Sequence, residues 1–408
     1  MKVAGIITEF NPFHKGHEYI ISKAKEITNA DYCIIITSGN FVQRGEPSFV
    51  DKYTKTYIAL NHGADLVIEL PVQFATASAE YFATSAITIL NNLGIVDYLV
   101  FGTEIDDIHI LEKTADILID EPLEYKETLK NELKNGFSFP KARSVALSKV
   151  LENENIAFIE QPNNILGLEY IKALKKLNST IKPIGIKRIK AGYHETFDDV
   201  DNPSSSYSAS NIRNMDNKSQ LNLLKEIDIM YENHYGISFP INKEKSFSAI
   251  AGANILKAVT AGENDYFDVS DFLWDKIKKN INKYTDFSSF VMMLKSKDIS
   301  YSAISRALLH IVLNIKQSDV TNITSNNYGN YVRILGFKSF SKELLTAISE
   351  KSSVIILTKP KEYNDLLDAQ GKYQFEQNLY ADNLYRLCAS IDLKELQANE
   401  FERKMIVI

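Results

Sequence analysis

Two histidines bracket a glycine near the start of the chain, in the run Glu9-Phe10-Asn11-Pro12-Phe13-His14-Lys15-Gly16-His17. An imidazole N–H can donate to a phosphate oxygen, and that bond strengthens as charge gathers on a five-coordinate phosphorus. Gly16 has no Cβ, so the backbone can come close to a bound group, while Pro12 lacks an N–H and holds the turn. The run directly follows the apolar stretch Val3 to Thr8, and an amphipathic pattern begins at or near His17. This reads as a strand, a turn and a helix. In an open parallel sheet such a turn lies at the carboxyl edge, where ligands bind and helix N–H groups face an anion. The chemistry it suits is activation or transfer at a phosphate. The competing reading is a pair of histidines that only cap the helix.

Other polar residues stand at comparable places. Ser208-Ala209-Ser210-Asn211-Ile212-Arg213 resembles the S-S-T-x-I-R motif found downstream in the nucleotidyltransferase superfamily, and that resemblance implies that the hydroxyls of Ser208 and Ser210 hold the outer phosphates of a nucleotide. Arg213 could offset charge on a departing pyrophosphate. A serine N-cap followed by an exposed arginine has the same spacing. Gly102, in Phe101-Gly102-Thr103-Glu104, follows another apolar run and allows either a close approach to a ligand or a tight turn. Gln43, Arg44 and Glu46 lie in a glycine-bounded loop and are candidates to line the same site.

The elements that must position these residues have an α/β pattern. Strands are expected at Val3 to Thr8, Tyr32 to Thr37, Leu66 to Leu70 and Tyr98 to Phe101, with a fifth at Pro183 to Ile189. Each of the first four is rich in Val, Ile or Leu on both faces, as in a sheet covered by helices on either side. Helical periodicity runs over His17 to Thr28, Tyr53 to His62, Ala79 to Leu93 and Ile165 to Leu177. The polar stretch from Asp198 to Ser206 reads as a surface linker. The expected division is therefore a Rossmann-like α/β domain with a parallel sheet over 1–215, which resemblance to the nucleotidyltransferase superfamily would make the ATP-binding, catalytic part, then a mostly helical domain over 216–408. In the second part Tyr301 to Ile315 is the clearest helix and Ser353 to Leu357 one possible strand.

Composition narrows the class. The 408 residues carry a formal net charge of −6, which does not suit electrostatic coating of DNA or RNA. Between Glu169 and Glu195 the chain has no acid but holds Lys172, Lys175, Lys176, Lys182, Lys187, Arg188 and Lys190. That interval fits a local RNA contact involving Lys172, Lys175, Lys176 and Lys190, and equally a solvated face. Arg306 and His310 lie one turn apart on the polar side of Tyr301 to Ile315, where a plain solvated face is the favoured reading and contact with RNA phosphates the alternative. Cys33 and Cys388 have no partner at metal spacing, so no metal site is encoded and a reducing cytoplasm is expected. No apolar run reaches the length of a membrane span. Trp274 and the tyrosines could stack on bases or fill the core.

The H-x-G-H arrangement after the first strand, with Ser208 to Arg213 downstream, resembles the nucleotidyltransferase superfamily that includes class I aminoacyl-tRNA synthetases. No K-M-S-K-S-like run is present, which counts against a synthetase proper. Longer runs are more specific: Glu9 to His17, Ser38-Gly-Asn-Phe-Val-Gln-Arg-Gly-Glu-Pro47, Asp65 to Pro71 and Pro162-Asn-Asn-Ile-Leu-Gly167. With these the chain resembles the bacterial tRNA(Met) cytidine acetate ligase family. The resemblance implies ATP and acetate as substrates, acetyl-adenylate as intermediate, and N4-acetylcytidine at the wobble position of elongator tRNA(Met) as product. It places ATP along Ile7, Thr8, Glu9, Phe10, Asn11, Pro12, Phe13, His14, Lys15, Gly16, His17, Glu18, Tyr19 and Ile20, with Gly102, Asn163 and Arg188. Mg2+ would accompany the triphosphate. Two other functions also fit an α/β nucleotide site: an adenylyltransferase acting on a small metabolite, and a nucleotide-dependent RNA-binding protein without turnover.

Overall fold

The computed structural model describes residues 1–137, 139–152, 156–187, 209–213, 243–262, 264–296, 299–329 and 331–408. Its main sheet contains β1 (Val3–Thr8), β2 (Tyr32–Ser38), β5 (Leu66–Leu70), β6 (Tyr98–Thr103), β7 (Lys182–Lys187), β8 (Tyr331–Phe337), β9 (Ile355–Leu357) and β10 (Ile406–Val407). The order is β10-β8-β5-β2-β1-β6-β7, with β9 also against β8. A small hairpin pairs β3 (Phe41–Val42) with β4 (Glu46–Pro47). From β5 to β7 every neighbour is parallel, as the buried apolar runs predict. The first helix, α1 (Lys15–Thr28), connects β1 to β2, and α2 (Lys52–Asn61) precedes β5.

Alternation along the strands fills both faces. Val3 and Ile7 of β1 join Ile34 and Ile36 of β2 in one core, against the helices Ala79–Asn92 and Pro162–Lys176. Ala4 and Ile6 join Cys33 and Ile35 in the other, against α1 and α2. A third core, largely from residues 247–323 and 381–389, also takes in Phe41, Val72 and Phe74. Trp274 belongs to this core and is buried, so its role is packing.

The sheet is mostly parallel, as expected, with one antiparallel pairing toward its margin. β8 runs antiparallel to β5, and β9 and β10 lie parallel to β8. All three come from beyond residue 216, so the later part of the chain is helical but also supplies one margin of the sheet. Val332 and Ile334 enter one core and Leu335 the other, the pattern of a strand covered on both sides. The expected linker, Asp198 to Ser206, lies outside the described residues.

The topology decides where a ligand can sit. The chain builds β2 and β5 on one side of β1, then returns to build β6 and β7 on the other. The connections after β1 and β6 therefore diverge, opening a crevice beyond their carboxyl ends. His14, His17 and Gly102 all follow or end one of these two strands.

Candidate active site

The turn after β1 is held from within. Phe10 takes a left-handed backbone conformation (φ 46°) and Asn11–Pro12 is cis. A left-handed non-glycine residue costs about 1–3 kcal/mol and persists only where its surroundings hold it. Here the buried Phe10 ring packs against Phe13 and His17, each with centroids 5.0 Å away. The Asn11 carboxamide oxygen accepts the Phe49 N–H at 2.7 Å, fixing the turn to the segment before α2.

His14 and His17 stack with ring centroids 3.8 Å apart and planes inclined by 26°. His14 Nδ1 accepts the Gly16 N–H at 3.1 Å, and His17 Nδ1 accepts the His14 N–H at 3.2 Å. An Nδ1 that accepts must be unprotonated, so each neutral ring carries its hydrogen on Nε2. The helix-capping reading and the phosphate-binding reading are therefore compatible: one ring edge caps α1 and the other is a donor. The Gly16 N–H is committed to His14, and the His17 N–H bonds the His14 carbonyl at 2.8 Å. An anion at this turn would thus depend on imidazole donors more than on the helix backbone. A Cβ on Gly16 would lie 2.9 Å from His14 Cε1, so glycine lets the ring fold over the helix start.

Three segments meet around Glu9. Its carboxylate accepts the Gln43 N–H at 2.6 Å, which ties the β3–β4 hairpin to the turn. Burial raises the Glu9 pKa, while the Gln43 N–H and the cations Lys55, Arg44 and Arg213 oppose the rise. Arg213 donates through Nη1 to the Asn11 carbonyl, and its Nε lies 4.0 Å from Glu46. Burial and the proximity of Arg44 lower the Arg213 pKa. The structure thus brings Glu9, Asn11, Gln43, Arg44, Glu46 and Arg213 together across about two hundred residues of sequence.

A second grouping lies at the end of β6. Glu104 accepts the N–H groups of Asn163 (3.3 Å) and Asn164 (3.0 Å) and the Asn163 side-chain amide, capping the helix Pro162–Lys176. The Asn164 oxygen in return accepts the Glu104 N–H at 2.9 Å. Asn163 is consequently anchored beside the loop that follows Gly102.

Several expected residues are placed elsewhere or are not described. His310 is buried and corrects the assignment to an RNA-facing surface. Its Nδ1 lies 2.9 Å from the Phe267 carbonyl and its Nε2 3.1 Å from the Thr76 carbonyl. Burial lowers its pKa. The helix Tyr301–Val312 looks one-sided in sequence, but Thr76 and Phe267 cover what reads as its polar face. Arg306 is mostly buried as well and faces Asp268 at 3.8 Å. Lys172 and Lys176 meet Glu169 and Glu80 at 2.8 and 3.5 Å, and Lys175 meets Asp116. Much of the basic interval is therefore compensated by acids, Glu169 on the same helix and Asp116 and Glu80 on others. Arg188, Lys190 and Ser208 lie outside the described residues, and Ser210 is described only in its backbone.

Lys55 was not legible as a site residue. Its ammonium, on α2, bonds main-chain oxygens at the ends of β1 and β2, and no local spacing signals such a contact. Glu104 stood beside Gly102 in the sequence, so its proximity to the site could have been read.

A strand-turn-helix edge at a topological switch point, with two imidazole donors and an arginine, defines a nucleotide-handling site of the nucleotidyl-transfer class. The chain belongs to the HIGH Nucleotidyl Transferase family, whose profile matches residues 1–400. It is 37% identical over the full length of both chains to a tRNA(Met) cytidine acetate ligase of Acetivibrio thermocellus. It is 41% identical to one from Thermoanaerobacter sp., covering 95% of each. Among solved structures it is similar to apo Thermotoga maritima TmcAL, with a TM-score of 0.89, 30% identity and full coverage of both chains. It is also similar to that protein bound with alpha-thio ATP, with a TM-score of 0.87, 30% identity and full coverage of both chains.

Proposed function

We infer that this chain is an ATP-dependent tRNA(Met) cytidine acetate ligase. The observation that carries the reading is the paired imidazole donor site at the β1–α1 turn, with Arg213 drawn to the same turn, in a chain whose full-length relatives are named for this ligase. In the first step an acetate oxygen attacks the α-phosphorus of ATP and the bond to pyrophosphate breaks. In the second, the N4 amine of cytosine attacks the acetyl carbonyl, the carbon–oxygen bond to AMP breaks, and N4 loses a proton. Neither step requires a side-chain nucleophile. His14 and His17 stabilise charge on the phosphate through Nε2–H, and Arg213 offsets charge on the departing pyrophosphate. The rest of the rate enhancement comes from positioning.

Mg2+ accompanying ATP would supply charge neutralisation at the phosphates. Glu9, the half-buried carboxylate that leads into the turn, is committed to the Gln43 N–H and flanked by three cations, so it does not suit a metal. ATP lies along 7–20, with Gly102 and Asn163 across the crevice. An anticodon wobble cytidine is an unpaired base that can be splayed into such a crevice. The part of the chain after 216 provides grip on the tRNA, and the enzyme works in the cytoplasm, where its tRNA substrate is. Among the described residues no helix is long and apolar enough to cross a membrane.

The reading is tested with labelled acetate, ATP and a tRNA pool. Label is expected in elongator tRNA(Met) as N4-acetylcytidine at the wobble position, with AMP and pyrophosphate formed. Adenylylation of a small metabolite without tRNA labelling would replace it with an adenylyltransferase. ATP and tRNA binding without pyrophosphate release would replace it with a binding protein.

A further inference from the structure

Lys55 is fully buried, yet its ammonium spends its hydrogens on main-chain oxygens. It donates to the Gly39 carbonyl at 2.7 Å, the Ser38 carbonyl at 2.8 Å and the Glu9 carbonyl at 3.1 Å. Burying an ammonium is costly, and its placement against three carbonyls needs a reason. The register of the two central strands supplies one. β1 and β2 pair in parallel up to Thr8↔Thr37, where the ladder between them ends. One continues into the His14–His17 turn and the other into the hairpin that carries Gln43, Arg44 and Glu46. Lys55 bonds both segments just past the end of that ladder. The Glu9 carboxylate adds a second tie by accepting the Gln43 N–H.

We propose that Lys55 is a positioning residue for acid activation: by clamping the ends of β1 and β2 it fixes the two imidazoles relative to the hairpin across the bound nucleotide. This rests on the functional reading above. The ammonium touches no substrate and acts through the backbone it holds. Three carbonyl acceptors require three N–H groups, which only the protonated form has. Burial pulls the Lys55 pKa down to about 7; Glu9 at the end of β1, Asp51 before α2 and Glu69 of β5 oppose that fall, and Lys52, one turn earlier on α2, adds to it. Loss of the proton as pH rises would leave one carbonyl without its donor.

The test is acetate-dependent exchange of pyrophosphate into ATP, measured for the wild type, Lys55→Met and Lys52→Met. Lys52 is buried on the same helix but bonds Glu69 and Asp382, so it reports what loss of a buried lysine does by itself. Per folded molecule, Lys55→Met should lose about 100-fold in kcat, the cost of a small misplacement of reacting groups, with KM for ATP changed less than about threefold. Lys52→Met should be less stable but keep kcat within about threefold. Wild-type kcat should fall as pH rises from about 7 to about 9, and this fall should be missing from Lys55→Met. The wild-type profile needs no variant to fold, and its lack of an alkaline fall overturns the inference. So does a kcat for Lys55→Met that stays near wild type or matches that of Lys52→Met. A wild type with no acetate-dependent exchange overturns the functional reading, and this inference with it.

Discussion

Gly45 sits at the tip of the β3–β4 hairpin with φ +77° and presses on the helix Tyr301–Val312. A Cβ built there would lie 2.3 Å from the Arg306 nitrogen and 2.4 Å from the Ser305 carbonyl carbon, both main-chain atoms that cannot rotate away. The Ser305 hydroxyl donates to the Gly45 carbonyl at 2.9 Å, so the contact is bonded as well as close. Gly262 is a natural control, since its φ is +80° and nothing lies within 4 Å of its added Cβ. Gly262→Ala should therefore show only the left-handed backbone cost, about 1–2 kcal/mol. Gly45→Ala adds overpacking of about 1–3 kcal/mol, so its total should be about 2–5 kcal/mol. Urea unfolding of both variants measures the difference. The hairpin also carries Gln43, whose N–H bonds Glu9, so displacement of its tip should reach the active site. Acetate-dependent pyrophosphate exchange should fall by at least about tenfold in Gly45→Ala and hold in Gly262→Ala. Equal stability and equal exchange in the two variants would refute the claim that this helix buttresses the site loop.

Two further outcomes follow from buried charge. Lys52 faces Glu69 at 3.0 Å, Asp382 at 2.6 Å and Glu400 at 3.2 Å, so Lys52→Met leaves these carboxylates buried without it; unfolding stability should drop by about 3–5 kcal/mol, and an unchanged urea midpoint would contradict the network. The His310 pKa is lowered in the fold by burial, so as pH falls through the ordinary histidine range the unfolded chain takes up a proton that the folded chain refuses, and stability falls. His310→Gln should lose less stability than wild type between about pH 7 and about pH 5.5, with tRNA affinity unchanged at neutral pH; a selective loss of tRNA affinity would restore His310 to an RNA-facing role.

The first sheet strands were legible because each is a short apolar run ended by a turn, and β1 and β5 have the expected bounds. The helix after β1 begins at Lys15 rather than His17, since the His14 ring supplies the cap. β8 was hidden by Arg333, a charge in mid-strand that argues locally against a buried position. Its partner is Glu400, 3.3 Å away but 67 residues later in the chain, and short-range patterning cannot register such a pair. The same limit applies to His310, whose partners come from Phe267 and Thr76. The site shows both outcomes. His14 and His17 are read from spacing because their mutual capping is local, whereas a phosphate role for Arg213 came only from motif resemblance and its bond to the Asn11 carbonyl had no local signal. Lys55 had neither signal.

The central claim is that the Nε2 edges of His14 and His17 stabilise charge on the phosphate when ATP is attacked. The most direct measurement compares acetate-dependent pyrophosphate exchange in wild type, His14→Ala and His17→Ala, each verified as folded by its urea transition. Exchange should require acetate and should fall by about 100- to 1,000-fold in each variant, the effect of losing one preorganised donor to a developing charge. Undiminished exchange in both folded variants would contradict the account.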